Sequence, residues 1–294
     1  MTKKQVKEKP RSFFGEAVRQ FKKNKLAVIS FYLVLIVMIL GIFAPFIATE
    51  DPITPVLENK FQAGFWVGNY NHFLGTDELG RDILSRIIYG TRISLKVGYI
   101  VVFITAVFGT FLGIVSAYYG KLVDLLLMRI TDIFLSFPPL LLALAVVAVL
   151  GTGLENAMLA ISLIYIPQMA RIVRGSVLTV KELPYIEASR ALGAKNYWII
   201  IGHILPNILA PAVVYLTFLL ADAILYTAAL GFLGVGIDPS TPEWGAMLSN
   251  GRDYLLIGKW WVTAFPGLMI VISVLSFNLF GDGLREALDP KMDL

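Results

Sequence analysis

The stretch VGYIVVFITAVFGTFLGIVSAYYG, residues 97–120, decides the fold, because it lies between Lys96 and Lys121 and contains no charged residue. A helix of this length is about 36 Å long, and the hydrocarbon core of a bilayer is about 30 Å thick. The stretch therefore predicts a transmembrane helix.

The composition of the whole chain agrees with a membrane protein. Of its 294 residues, 57% are hydrophobic and only 16% are charged, whereas about a quarter of the residues in a soluble domain are charged. This balance argues against a water-soluble enzyme. The absence of cysteine excludes disulfide frameworks, iron–sulfur clusters and cysteine nucleophiles.

Five further runs without charge mark additional membrane spans. They are residues 26–49, 133–154, 156–170, 204–221 and 261–281. The run 156–170 is short, but apolar residues continue it past Arg171 and Arg174. We therefore predict an all-α, polytopic membrane protein with about six transmembrane helices. The run 26–49 is too long for the apolar region of a signal peptide and is expected to remain as a membrane anchor.

The distribution of basic residues predicts the orientation of the chain. With the N-terminus inside, segments 1–25, 121–132, 171–203 and 282–294 carry 18 of the 25 Lys and Arg residues. Cytoplasmic segments of membrane proteins are enriched in these residues. Both termini are therefore expected in the cytosol.

Two long segments connect the spans. In the outer segment 50–96, apolar residues at Ile83, Leu84, Ile87 and Ile88 predict an amphipathic helix lying flat at the membrane interface. In the inner segment 171–203, Pro184 suits the first turn of a helix and Gly193 suits its end. A second short helix is expected over residues 197–201. Such a cytosolic protrusion usually contacts another protein.

Candidate catalytic residues are few. The two histidines, His72 and His203, are predicted on opposite sides of the membrane, exposed or interfacial, and cannot share a metal ion. No phosphate-binding GxxxxGK[ST] loop and no GxSxG nucleophile elbow occur. Asp222 is the one acidic residue well inside an apolar run. Its expected role is either that of a helix cap or that of a proton relay. We expect no catalytic residue, no metal site and no cofactor.

Prolines inside the apolar runs predict kinked helices, which either shape the packing or line a pathway. These residues are Pro138, Pro139, Pro167, Pro206, Pro211 and Pro266.

The inner segment resembles a known signature. Glu187-Ala188-Ser189, then Gly193, then Leu205-Pro206 are similar to the EAAxxxG…LP pattern of binding-protein-dependent ABC importer permeases. Ser189 replaces the second alanine of the pattern, and His203 stands where isoleucine is common. Segments 74–82, 230–236 with 242–245, and 277–291 resemble one branch, the second (C-type) permease of dipeptide and oligopeptide importers.

The resemblance implies the type I ABC importer permease fold and a defined set of partners. These are a second homologous permease, two cytosolic ATPase subunits, an extracytoplasmic peptide-binding protein and the surrounding lipids, with no nucleic acid. It also implies that the inner loop forms a helix that couples to an ATPase. The implied coupling residues are Tyr185, Glu187, Ala188, Ser189, Gly193, Leu205 and Pro206.

The expected organisation follows from these features. A basic head (1–25) precedes the first span (26–49), an extracytoplasmic loop (50–96), a core of five spans (97–281) and a cytosolic tail (282–294). The expected function is import of dipeptides or oligopeptides across the cytoplasmic membrane. Nickel or another small solute is the alternative cargo. A secondary transporter or an intramembrane hydrolase would need buried ion ligands or a nucleophile–base pair, and neither is evident.

Overall fold

The computed structural model describes residues 13–288, and these residues fold into helices joined by loops, as the sequence predicts. The expected basic head and cytosolic tail extend beyond them, into residues 1–12 and 289–294, which lie outside the described part. The helices are α1 (Phe13–Lys23), α2 (Lys25–Ile42), α3 (Ala44–Ile47), α4 (Ile83–Tyr119), α5 (Lys121–Leu135), α6 (Pro139–Leu150), α7 (Leu154–Val180), α8 (Pro184–Ala191), α9 (Asn196–Ile199), α10 (Leu205–Phe232), α11 (Trp244–Gly251) and α12 (Trp261–Leu288).

Five of the helical segments are long and apolar enough to cross a membrane. They are α2, α4, α7, the continuous segment α9–α10 and α12, and the bent pair α5–α6 makes a sixth if it is counted as one span. The expectation of about six spans agrees with this number.

Helix α4 begins earlier than predicted. Asp82 caps it, because its carboxylate accepts a hydrogen bond from the Ser85 N–H at 2.7 Å. The helix then continues without a break to Tyr119. The expected separate helix lying flat at the interface is wrong, since Ile83 and Ile87 are buried in the protein core beside Trp244. An apolar stripe cannot by itself distinguish a lipid surface from a protein one.

The third predicted span, residues 133–154, is also wrong as a single straight helix. The chain bends by 93° between α5 and α6. Pro138 disfavours helical backbone at Phe137, and Pro139 occupies the first turn of α6, where its missing N–H is harmless. Helix α5 (Lys121–Leu135) also includes residues 121–132, which the charge pattern predicts as an inner segment between two spans.

Helix α7 confirms that the fourth run continues as a helix past its two arginines. Arg171 contacts Asp132 at 2.7 Å, and Arg174 contacts Asp124 at 2.6 Å, both on α5. These ion pairs compensate charge on a helix that is otherwise apolar.

Close backbone contacts hold α4 against α7. A Cβ atom at Gly109 would lie 2.6 Å from the Met169 side chain, and one at Gly113 would lie 2.6 Å from the Ala170 carbonyl oxygen. Small residues spaced by four positions allow membrane helices to approach in this way.

The glycine-rich segments that resemble the peptide branch also mark close packing. At Gly245 a Cβ would lie 2.0 Å from the Ala228 carbonyl oxygen, so α11 packs directly on α10. The Trp244 indole is fully buried and donates to the Ile87 carbonyl oxygen of α4 at 3.2 Å. The connection between the last two predicted spans therefore contains a helix, α11, that belongs to the core.

Segment 74–82 is a compact, buried turn before α4. Asp77 accepts hydrogen bonds from the backbone and the guanidinium of Arg81, the latter at 2.7 Å. Trp261, at the start of α12, donates to the Thr76 carbonyl oxygen at 3.1 Å. The turn thus joins the beginnings of α4 and α12.

Candidate functional site

The protrusion predicted from the inner segment is helix α8. Pro184 occupies its first turn, and the helix ends at Ala191 with Leu192 as its C-terminal cap. Gly193 follows with φ +81°, a conformation that residues with a Cβ atom resist. The Ala194 N–H then donates to the Ser189 carbonyl oxygen at 3.1 Å. The predicted short helix with a glycine stop is confirmed as a structural element.

Ile186 anchors α8 to the rest of the protein. Its side chain is fully buried, in a cluster with Val177 and Val180 of α7, Ile199 of α9 and Ile204 before α10. Sequence analysis missed this residue. The only signal for it was an aliphatic side chain between two residues of the signature, Tyr185 and Glu187.

Polar contacts fasten the same loop to the end of α4. Lys181 donates to the Ala117 carbonyl oxygen at 2.9 Å, and Tyr118 donates to the Asn196 side chain at 2.9 Å. The guanidinium of Arg190 lies 5.9 Å from the centre of the Tyr118 ring, within the range of a cation–π contact. The loop that carries α8 is therefore joined to the end of α4.

Tyr185 connects α8 to α10. Its hydroxyl accepts a hydrogen bond from the Asn207 amide at 3.2 Å, and its ring lies 5.9 Å from that of His203 in an edge-to-face arrangement. Asn207 directly follows Leu205-Pro206, so the two halves of the signature meet in space.

The turn before Pro206 is π-helical, over Ile200–Ile204. Proline has no N–H and its ring crowds the preceding turn, which disturbs regular α-helical hydrogen bonding at this point. The helix nevertheless continues through α9 and α10 as one segment.

The remaining signature residues face outward. Glu187 and Ala188 are exposed, and Glu187 forms no side-chain hydrogen bond or ion pair within residues 13–288. The Ser189 hydroxyl donates to the Tyr185 carbonyl oxygen at 2.8 Å. Serine therefore replaces alanine here without leaving a free polar group.

Large apolar side chains are exposed beside these residues, and we refer to them as the apolar patch. Leu192 is 88% exposed, and Tyr197, Trp198 and Ile201 are each more than half exposed. Tyr197 and Trp198 lie side by side, with ring centres 5.5 Å apart, and exposed aromatic side chains are frequent in protein–protein contacts. The sequence predicted the protrusion but not this surface.

The structure places polar side chains between α7 and α10. The Tyr215 hydroxyl lies 3.1 Å from the Gln168 side-chain oxygen, and the rings of Tyr165 and Tyr226 lie 5.9 Å apart. Asp222 is half-buried on the same helix as Tyr215 and Tyr226.

His72 is not the exposed or interfacial residue that we expected. It is 5% exposed, and its Nδ1 atom lies 3.2 Å from Glu50 and 3.5 Å from Asp82. Burial raises the pKa of Glu50, an effect that neighbouring His72 partly opposes. The turn at 74–82 and the cap of α4 bring these three residues together.

Comparison with known families defines the class of protein. Residues 109–294 match the family model described as the binding-protein-dependent transport system inner membrane component. Residues 12–63 match the N-terminal transmembrane domain of oligopeptide transport permease C. The chain belongs to the family of binding-protein-dependent transport inner membrane components.

Individual relatives show which transport permeases the chain is similar to. The chain is 46% identical to the dipeptide transport system permease protein of Alkalihalophilus pseudofirmus, over 94% of this chain and 90% of the relative. It is 46% identical to the corresponding protein of Haemophilus influenzae, over 92% of each chain. It is 42% identical to a glutathione transport system permease protein of Escherichia coli, over 96% of this chain and 92% of the relative.

A solved structure shows the same fold. An inward-facing form of the MetNI methionine ABC transporter superposes with a TM-score of 0.56 and 25% identity, over 70% of this chain and 98% of that one. The expected type I ABC importer permease fold is confirmed. The chain is a multi-pass inner membrane permease subunit.

Proposed function

We propose that this chain is the C-type permease subunit of an importer that moves dipeptides or oligopeptides across the cytoplasmic membrane. Support for the cargo comes from relatives named for dipeptide and glutathione transport, which match along nearly the whole chain. The nickel alternative is not favoured by these names.

The observation that carries the proposal is the construction of α8. It is a short helix anchored by a buried isoleucine, in contact with α4 through Arg190 and Tyr118 and with α10 through Tyr185. An ATPase subunit that pushes on its exposed face would displace α4 and α10 together. The coupling residues are Tyr185, Glu187, Ala188, Ser189, Gly193, Leu205 and Pro206, and the apolar patch extends the contact surface.

The proposed complex contains a second homologous permease, two cytosolic ATPase subunits and an extracytoplasmic peptide-binding protein. ATP hydrolysis belongs to the ATPase subunits, because this chain has no phosphate-binding loop. Both termini and α8 lie on the cytosolic side, consistent with the distribution of basic residues.

Uptake in a deletion strain tests the proposed cargo. Loss of the gene is expected to abolish uptake of labelled dipeptides or of a labelled oligopeptide, and the intact gene should restore it. Nickel-dependent growth should not change. Normal peptide uptake together with loss of nickel-dependent growth would refute the peptide assignment.

A further inference from the structure

Three residues from distant parts of the sequence form a compact cluster at the start of α4. Glu50 follows α3, His72 belongs to the loop after it, and Asp82 is the N-cap of α4. One potential ligand atom from each residue lies within 4.8 Å of the other two. The three side chains come from three separate segments, so the tertiary fold alone assembles them.

The imidazole nitrogen at the centre of the cluster has no hydrogen-bond partner. His72 Nδ1 is buried and unpaired within residues 13–288, although it lies only 3.2 Å from Glu50 Oε1 and 3.5 Å from Asp82 Oδ1. Neither contact therefore has the geometry of a hydrogen bond. A buried polar atom left in this way is costly unless something else binds it.

The separations fit a shared metal ion. Tetrahedral Zn²⁺ binds histidine nitrogen and carboxylate oxygen at about 2.0–2.2 Å, which places neighbouring ligand atoms about 3.3–3.6 Å apart. The observed separations of 3.2 and 3.5 Å are close to this range. One imidazole and two carboxylates favour a transition metal ion over Mg²⁺ or Ca²⁺, which prefer all-oxygen ligands.

Surrounding groups orient the ligands. Asp82 Oδ2 accepts the Ser85 N–H at 2.7 Å, which leaves Oδ1 directed at His72. The Ser85 hydroxyl accepts the Glu50 N–H at 3.2 Å. Second-sphere contacts of this kind hold metal ligands in place in known sites. Here one residue of α4 positions two of the three ligands.

We propose that Glu50, His72 and Asp82 form a binding site for a divalent transition metal ion such as Zn²⁺. Two carboxylates and a neutral imidazole carry a charge of −2, which the ion neutralises, and water completes its coordination. The bound ion joins the end of α3, the loop before the 74–82 turn and the beginning of α4.

The chain supplies a matched control, because it has two histidines and no cysteine. The transporter complex is purified without a polyhistidine tag, treated with a chelator and titrated with ZnCl₂ alone. The complex carrying His72→Gln is expected to bind one Zn²⁺ fewer per copy of this chain than the wild type. His203→Gln should retain the wild-type content.

The affinity and stability of the complex give independent readouts. Competition with a chelator should show Zn²⁺ affinity at this site reduced by at least about 100-fold in His72→Gln. Zn²⁺ should raise the unfolding temperature of the wild-type complex and of His203→Gln, and Mg²⁺ should not. If the His72→Gln complex fails to assemble, Glu50→Gln is the second variant. The Glu50 side chain is partly exposed, so its substitution disturbs the packing less.

The proposal is overturned if the chelator-treated wild-type complex binds no Zn²⁺ when it is titrated with ZnCl₂. Equal Zn²⁺ content in the wild-type and His72→Gln complexes also overturns it. In either case the cluster is only an ion pair between His72 and two carboxylates. Peptide uptake is not needed for any of these measurements, so their failure is distinct from failure of the proposed function.

Discussion

Substitution of Gly193 is restricted by its backbone conformation and not by a lack of space for a side chain. Its φ is +81°, and a Cβ atom would meet no heavy atom within 4 Å. A β-branched residue in left-handed backbone costs roughly 1–2 kcal/mol or more. Substitution therefore changes the direction in which the chain leaves α8, without creating a clash.

At this residue the prediction is a loss of coupling. Gly193→Val should leave membrane insertion intact but reduce peptide uptake, through weaker ATPase assembly or uncoupled hydrolysis. Gly193→Asn should retain most activity, because asparagine tolerates the left-handed region. Gly202→Ala is the matched control, since Gly202 is equally uncrowded but lacks positive φ. Wild-type assembly, hydrolysis and uptake in Gly193→Val would contradict the coupling role.

At the scale of one helix, α8 has two faces with different roles. Ile186 is buried in the cluster that includes α7 and the residue before α10, whereas Glu187 and Ala188 are exposed, and the cap residue Leu192 is 88% exposed. Substitutions on the two faces should therefore separate stability from partner binding.

Ile186→Ala removes buried methyl groups and should destabilise the region by about 2–5 kcal/mol, which lowers the unfolding temperature of the purified chain. Leu192→Ser should leave that temperature unchanged but reduce co-purification of the ATPase subunits. Equal co-purification of ATPase with Leu192→Ser and wild type would exclude the apolar patch from the contact.

The bend between α5 and α6 shows that prolines, and not charges alone, determine where a membrane helix begins and ends. The prolines that cause it were visible in the sequence, but the run 133–154 was treated as one span because it lacks charge. The acidic residues of α5, Asp124 in its first turn and Asp132 in its last, pair with arginines of α7. A charge within a membrane helix does not end the helix when a partner is near.

Across the whole molecule, α4 separates the two ends of the protein. It has 37 residues and is about 55 Å long. The Glu50–His72–Asp82 cluster lies at its beginning, and the α8 loop is fastened to its end at Ala117 and Tyr118. The two candidate sites are therefore far apart.

The topology of the whole chain can be tested by labelling, because the chain has no native cysteine. Leu256→Cys, 94% exposed in the segment between α11 and α12, should react with a membrane-impermeant maleimide in intact cells. Leu192→Cys should react only after the membrane is permeabilised. Both positions are exposed in the chain by itself, and the labelling is done in cells that lack the ATPase subunits, so that a difference reports the side of the membrane. Labelling of Leu192→Cys in sealed cells would refute a cytosolic α8.

The sequence by itself determined the helical class, the approximate number of spans and the ends of α8. Each of these is a local property. Crossing a bilayer requires consecutive apolar residues, and Pro184 and Gly193 act on the backbone where they stand. The resemblance to importer permeases also depended on contiguous segments.

Only the tertiary structure decided which residues meet. The burial of His72, the anchoring role of Ile186 and the fusion of 83–96 with the second span each depend on residues far away in the chain. A turn and a helix cap bring Glu50, His72 and Asp82 together. Tyr118 contacts Asn196, which lies 78 positions away in the chain. The physical reason is that burial and side-chain contact are set by packing between helices, which local sequence patterns do not specify.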